Sequence, residues 1–196
     1  LLRPGRHRRR EGCQMKRLQS PFLVMPLWSA VGAVLVATAP ATWLALAGVA
    51  AWPFIEYAAH RWIMHGSARY MPRLYKRIHG CHHLWPGDLS HFTIPIPVVG
   101  LVVAALLFAL PRAFVGGTLL AYVAYDLAHL AAHGLAPFPF RDRLMRHHAE
   151  HHRNAGVAYG VTQPWIDRIL GTTPKDRGTI AEHIAIRVAA AKAVEE

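Results

Sequence analysis

Along this chain the hydrophobic positions gather into long runs without charge, and the polar positions gather between them. Phe22 to Ala39, Ala41 to Ile55 and Phe92 to Leu110 contain no Asp, Glu, Lys or Arg, and Ala113 to Tyr125 continues apolar after a lone Arg112. Eighteen helical residues, the length of the first run, rise about 27 Å, close to the hydrocarbon thickness of a bilayer. The pattern predicts four membrane-spanning helices: Phe22 to Ala39, Ala41 to about Ala59, about Ile94 to Leu110, and Ala113 to about His133. Pro40 and the Pro111–Arg112 pair supply the turns, so the helices read as two hairpins. A soluble four-helix bundle would keep a polar face on each helix, and three of these runs have none. The expected fold class is therefore all-α, a polytopic membrane protein.

Composition sharpens this picture. The 196 residues are 53% hydrophobic, yet Lys+Arg 22 against Asp+Glu 11 leaves a net charge of +11, and the mean hydropathy is +0.19. A basic nucleic-acid binder would lack such charge-free runs, so nucleic acid is not the expected partner. Disorder and collagen are excluded by the same composition. Lys and Arg number seven before Pro21, five from Arg61 to Arg77 and seven from Arg141 to Arg177, with only Arg112 in a hairpin turn. The positive-inside rule then places both termini and both long polar segments in the cytoplasm.

Residues 1–20 are Arg-rich and without periodicity and read as a basic tail, with Met15 as a candidate true start. Residues 21–178 form the expected membrane domain, and 179–196, with Ile180, Ile184 and Val188 at helical spacing, a C-terminal amphipathic helix. A second apolar run follows the first at once, which suits a retained anchor and not a cleaved signal.

Eleven of the fourteen histidines fall in two windows, His60 to His83 and His129 to His152, each beginning where a predicted span ends. Each window contains a spaced pair followed by an HxxHH triplet: His60 and His65, then His79, His82 and His83; His129 and His133, then His148, His151 and His152. Residues three or four apart share a helix face, so each triplet, and the pair His129 and His133, is expected to converge on one point. Convergent imidazoles are metal ligands. His60 and His65, five apart, need a helix end or a bend, which Gly66 could supply. An offset of 69 residues maps His60, His79, His82 and His83 onto His129, His148, His151 and His152, whereas His65 misses by one. The chain reads as internally doubled, each hairpin supplying half the site.

Ten ligands exceed what one ion takes, so two ions are expected. Glu56, Asp126, Glu150 and Asp88 are candidate partners for the second ring nitrogens. His7, His91, His147 and His183 are read as ordinary polar residues, and Cys81, turned away from its neighbours on a helix, is not read as a ligand. Trp62, Tyr75, Trp85 and Trp165 suit an interfacial belt. Imidazole suits iron, copper, nickel and zinc alike. Lipid oxidation at the membrane surface favours iron, because no side chain abstracts hydrogen from an unactivated methylene.

The order HX4H, HxxHH, HX3H, HxxHH, followed by Asn154 and the run Tyr159-Gly-Val-Thr-Gln-Pro-Trp-Ile-Asp-Arg-Ile-Leu-Gly-Thr172, resembles the fatty acid hydroxylase and sterol desaturase superfamily, and within it fatty acid 2-hydroxylase. The likeness covers about Trp52 to Pro174. It implies that His60, His65, His79, His82, His83, His129, His133, His148, His151 and His152 ligate two iron ions, with zinc unsurprising in an isolated preparation. It implies a four-helix membrane bundle beneath a cytoplasmic histidine-rich cap, and insertion of one oxygen atom of O2 into a lipid C–H bond. Electrons would come from reduced nicotinamide through a separate donor, cytochrome b5-like or ferredoxin-like, docking on the basic segment Arg141 to Arg153. Carotenoid hydroxylase and sterol desaturase share the chemistry and remain as alternatives. A membrane metal store without catalysis is the reading from another class.

Overall fold

The structure, a computed structural model, describes residues 19–175. The basic tail up to residue 18, Met15, His7, the expected helix 179–196 and His183 lie outside the described residues. Every regular element in the described part is helical.

Ser20 enters the first helix in an extended conformation, φ −70° and ψ 128°, and Pro21 follows in the first turn, where the missing N–H has no partner to lose. Helix α1 spans Pro21–Ala37, and α2 spans Leu44–Ala58 and runs on unbroken into a π-helical segment, Ala59–His65. Short pieces follow: α3 (Ser67–Tyr70), α4 (Pro72–Tyr75), a second π-helical segment (Lys76–Gly80), α5 (Cys81–Leu84) and a 3-10 turn (Leu89–His91). Helix α6 spans Ile96–Ala109 and ends at an extended Leu110, as a residue before proline prefers. Helices α7 (Arg112–Ala132), α8 (Arg141–Arg153) and α9 (Pro164–Ile169) complete the described part. The four apolar helices stand where the charge-free runs predict them, with boundaries moved by about two or three residues. By length and composition two stretches suffice to cross a bilayer, Leu89–Ala109 and Arg112–Ala132, while α1 is shorter at 17 residues.

The packing is centred on α7. Fourteen of its 21 residues are buried, and α1 and α2 each lie along it rather than along one another. Small residues make this approach close. A Cβ at Gly117 would stand 2.1 Å from the Ala45 carbonyl oxygen, and one at Gly48 would stand 2.2 Å from that of Phe114. Helix association without a hydrophobic driving force depends on such backbone proximity. Gly117→Ala is therefore expected to force α2 off α7 and destabilise the fold by about 1–3 kcal/mol, read as a lower unfolding temperature in detergent. An unchanged temperature would contradict the crossing.

Helix α6 packs only lightly on α7 and buries just Val99. Since α1 lies along α7 but its counterpart α6 does not lie along α2, the expected doubling of the chain does not extend to the hairpins. The apolar core joins Val24 and Trp28 of α1 to Leu119, Tyr122, Tyr125 and Ala128 of α7, with Leu144 of α8 and Val161 closing its lower end. Large apolar side chains also point outward, among them Phe22, Leu46, Leu101 and Phe108.

Candidate metal centre

Helices α2 and α7 end side by side, and each carries its histidine pair at that end. His129 and His133 sit one α-helical turn apart, His133 capping α7. His60 and His65 reach the same arrangement by another route. The backbone from Ala59 to His65 is π-helical, with the Gly66 N–H on the Arg61 carbonyl at 3.1 Å. An i→i+5 ladder brings residues five apart onto one face. The one-residue mismatch between the two windows is thus absorbed by one wider turn. Gly66 caps this segment directly after His65, as expected, but in a right-handed conformation, φ −61°, and its missing Cβ lets the Trp62 carbonyl approach where a methyl group would sit 2.1 Å away.

The ten histidines form two groups, and the partition differs from one group per window. His60, His65, His79, His83 and His151 converge in one, His82, His129, His133, His148 and His152 in the other, with the ligating atoms of each group within 4.8 Å of one another. Each HxxHH triplet splits. Its first and last residues, four apart, share one face, while the middle one points about 100° away from its neighbour and enters the opposite group. His82 and His151 are exchanged in this way, so the offset of 69 residues carries one group onto the other. The doubling expected from the spacing holds at this level.

Within each group the atoms that meet are Nε2. His79 Nε2 lies 2.9–3.0 Å from the Nε2 atoms of His60, His65 and His83. His148 Nε2 lies 2.9–3.0 Å from those of His129, His133 and His152. His65 meets His151 at 2.9 Å and His152 meets His82 at 3.2 Å. A neutral imidazole has one N–H, and one proton cannot serve three contacts. Two rings have already placed theirs elsewhere: His60 Nδ1 donates to the Tyr159 carbonyl at 2.6 Å and His151 Nδ1 to that of Val157 at 2.7 Å. Their Nε2 atoms therefore present lone pairs. Lone pairs converging at this spacing are stabilised by a cation between them. Two nitrogens at right angles about an ion, each about 2.1 Å from it, lie about 3.0 Å apart, against about 3.4 Å for a tetrahedral pair. The observed spacing matches the right-angled set, and the groups could hold two metal ions.

Electrostatics agree. Burial, followed by repulsion from neighbouring histidines, holds His79, His82, His148 and His151 well below the ordinary imidazole range, and His65 is pushed down to about 3 by the same two causes. The neutral form that binds metal is the form the site imposes. Aromatic rings lie against each group: Tyr159 at 5.6–5.8 Å from the His60, His65 and His151 centroids, and Phe92 at 4.5–5.4 Å from those of His82, His129 and His133, with Tyr125 5.7 Å from His129. Cys81 is buried but belongs to neither group.

The carboxylates do other work than expected. Glu56 does not meet a ring; it accepts the N–H and the hydroxyl of Thr162 and so ties α2 to the segment carrying Tyr159. His129 Nδ1 has no acceptor among the described residues, so Asp126 does not serve it. Glu150 accepts a forked bond from Arg153, at 2.9 and 2.5 Å. Asp88 caps Ser90 and meets His91 Nδ1 at 3.2 Å, which holds its carboxyl well below the usual range. His147 meets Asp167 at 3.1 Å. Both of these histidines lie outside the groups, as expected. Trp62 is exposed, and Tyr75 packs 6.1 Å from the His65 ring.

Asp167 is the residue the sequence reading passed over. Wholly buried, it accepts the N–H groups of Tyr159 and Gly160, both at 2.9 Å, and the Thr172 hydroxyl at 2.7 Å, besides His147. Burial alone would raise its carboxyl, but these donors more than offset it and keep it below its ordinary value. The Tyr159–Thr172 run thus has a structural meaning: it folds on one carboxylate and, with Val157 just before it, sets two carbonyls against the rings. A lone Asp inside an apolar-flanked Trp-Ile-Asp-Arg-Ile was the available signal.

Comparison with known proteins places this geometry. The family model for fatty acid hydroxylase matches residues 45–172, which include all ten histidines and Asp167. The dihydroceramide fatty acyl 2-hydroxylase FAH2 of Arabidopsis thaliana is 32% identical over 139 residues, covering 65% of this chain and 59% of that protein. The ceramide very long chain fatty acid hydroxylase SCS7 of Saccharomyces cerevisiae is 34% identical over 149 residues, 67% of this chain and 38% of that one. The chain therefore spans less than two thirds of the length of either relative. A solved structure of full-length scs7p, in which only the hydroxylase domain is visible, superposes with a TM-score of 0.67 at 27% identity, covering 86% of this chain and 73% of the other. With its histidine motifs, its helical frame and most of its length matched, the chain belongs to the fatty acid hydroxylase family.

Proposed function

We propose that this chain is a membrane di-iron oxygenase that hydroxylates a lipid acyl chain, in the manner of the fatty acid 2-hydroxylases it is similar to. One observation carries the reading: ten histidines, seven of them buried, meet through Nε2 as two five-nitrogen groups. Five nitrogens at right-angled spacing leave a sixth position, a pattern that suits iron better than four-coordinate zinc. Iron bound there would supply the activation of O2 and the hydrogen abstraction that side chains cannot. Overall, one oxygen atom enters the C–H bond and the other leaves as water, with two electrons and two protons consumed. The chain's own residues hold the rings, through the carbonyls of Val157 and Tyr159 and the side chains of Phe92 and Tyr159, and keep bulk water from them.

The four apolar helices cross the bilayer in this reading, with residues 21–178 as the catalytic domain. The α2 and α7 ends, the ten histidines and both termini face the cytoplasm, where Lys and Arg concentrate. An apolar acyl chain reaches the rings from the lipid side and the reductant from the aqueous side. Helix α8 separates the two: His148, His151 and His152 turn inward to the two groups, while Arg143 and Arg146 are exposed on the far side. An acidic electron-donor protein, itself reduced by NAD(P)H, fits that face.

The test is reconstitution with ferrous iron, reductant and a panel of acyl lipids. About two irons per chain, reductant-dependent O2 uptake and a lipid product heavier by one oxygen are expected. A product lighter by two hydrogens would make the chain a desaturase. Stoichiometric metal with no O2 uptake on any lipid would support the metal store instead.

A further inference from the structure

We propose that the two histidine groups hold metal with unequal strength, the group around His79 being the tighter, because a carbonyl clamp built from residues 157–172 grips that group alone. The inference rests on the two-metal reading above. Ala158 is fully buried and left-handed, φ 55°, a conformation that L residues with a Cβ adopt only when their surroundings enforce it. Its N–H is fixed to the Thr172 carbonyl at 2.9 Å. The left-handed turn aims the carbonyls on either side of it in the required directions, Val157 to His151 Nδ1 and Tyr159 to His60 Nδ1. Asp167 holds the N–H groups of Tyr159 and Gly160, and Glu56 holds Thr162, so the clamp is anchored both to itself and to α2.

Both clamped rings belong to the same group. In the other, the Nδ1 atoms of His82, His129 and His148 are buried with no acceptor among the described residues. A carbonyl on Nδ1 fixes the tautomer, locks the ring and makes Nε2 a better donor to metal, and losing one such partner typically weakens binding by about 10–100-fold. The near-symmetry of the ten rings is therefore broken one layer out. Asp167 is a positioning residue: it touches no ring of either group and acts through two carbonyls.

The test uses the full chain in detergent, loaded with zinc to saturation and then mixed with excess chelator, with retained zinc followed by atomic emission. Two equivalents leaving in two phases, with rates apart by about tenfold or more, are expected. In His129→Ala the retained equivalent should leave in the slow phase. In Asp167→Asn, which keeps an acceptor for Tyr159 but turns an amide toward the Gly160 N–H, the slow phase should accelerate while the fast one stays. Two equivalents leaving together would overturn the inference and spare the two-metal reading. A slow phase that follows the His129 group, or that ignores Asp167→Asn in folded protein, would overturn the assignment to the clamp. Fewer than two zinc ions at saturation would overturn the two-metal reading itself.

Discussion

His151→Ala is expected to lower lipid hydroxylation by more than about 100-fold and to remove one of two metal equivalents, while His183→Ala, outside both triplets, does neither. The size follows from position. His151 is completely buried and belongs to the group of His60, His65, His79 and His83, so its loss leaves that group four nitrogens and opens a space where a ring stood. It also strands the Val157 carbonyl, the acceptor of its Nδ1 proton. Removing a partner of a ligand typically costs about 10–100-fold, and removing a ligand together with its partner's contact exceeds that. Because the triplets exchange their middle members, His82→Ala is expected to empty the group that His129 and His133 build, although His82 lies in the other window. Metal content by atomic emission and product by mass spectrometry check both variants. Equal metal loss in His151→Ala and His183→Ala would undo the assignment of ligands.

Asp167→Ala is expected to prevent accumulation of folded protein. Four donors converge on this buried carboxylate: the N–H groups of Tyr159 and Gly160, the Thr172 hydroxyl and His147. Each buried donor left without a partner costs about 1–3 kcal/mol, and a domain is stable by only about 5–15 kcal/mol. The Thr172 hydroxyl has a second partner in Tyr57 at 2.9 Å, so three donors bear most of the loss. Asp167→Asn retains one oxygen and should recover part of the yield. Expression and thermal unfolding in detergent, compared across Asp, Asn and Ala, give the order. An Ala variant as stable as the parent would show that the Tyr159–Thr172 segment is held by something other than this carboxylate.

The frame was legible because it is written in short-range patterns. Charge-free runs bounded by Pro40 and Pro111 mark helices without reference to anything distant, and α1, α2, α6 and α7 stand within a few residues of those marks. The ten histidines were equally plain, since their density and spacing exceed what a solvated surface needs. Their sorting was not. The spacing put each triplet on one point, and an ideal α-helix put His60 and His65 too far apart; neither the exchange of His82 with His151 nor the π-helical turn has a local signature. The partners of the rings proved equally remote. Glu56, four residues before His60, looked like its acceptor, yet the acceptor is the Tyr159 carbonyl, 99 positions further on.

What the sequence by itself determined is thus the all-helical frame, the place where each helix stops and the set of side chains able to bind metal. Period, proline and charge act over a few residues, and those few residues suffice to specify them. Only the tertiary structure decided which rings converge in one group, since α5 and α8 each carry histidines for both groups and their placement against α2 and α7 assigns every ring. It also decided which rings are clamped, because a backbone carbonyl is present at every residue and becomes a specific partner only when a strained turn such as the one at Ala158 aims it.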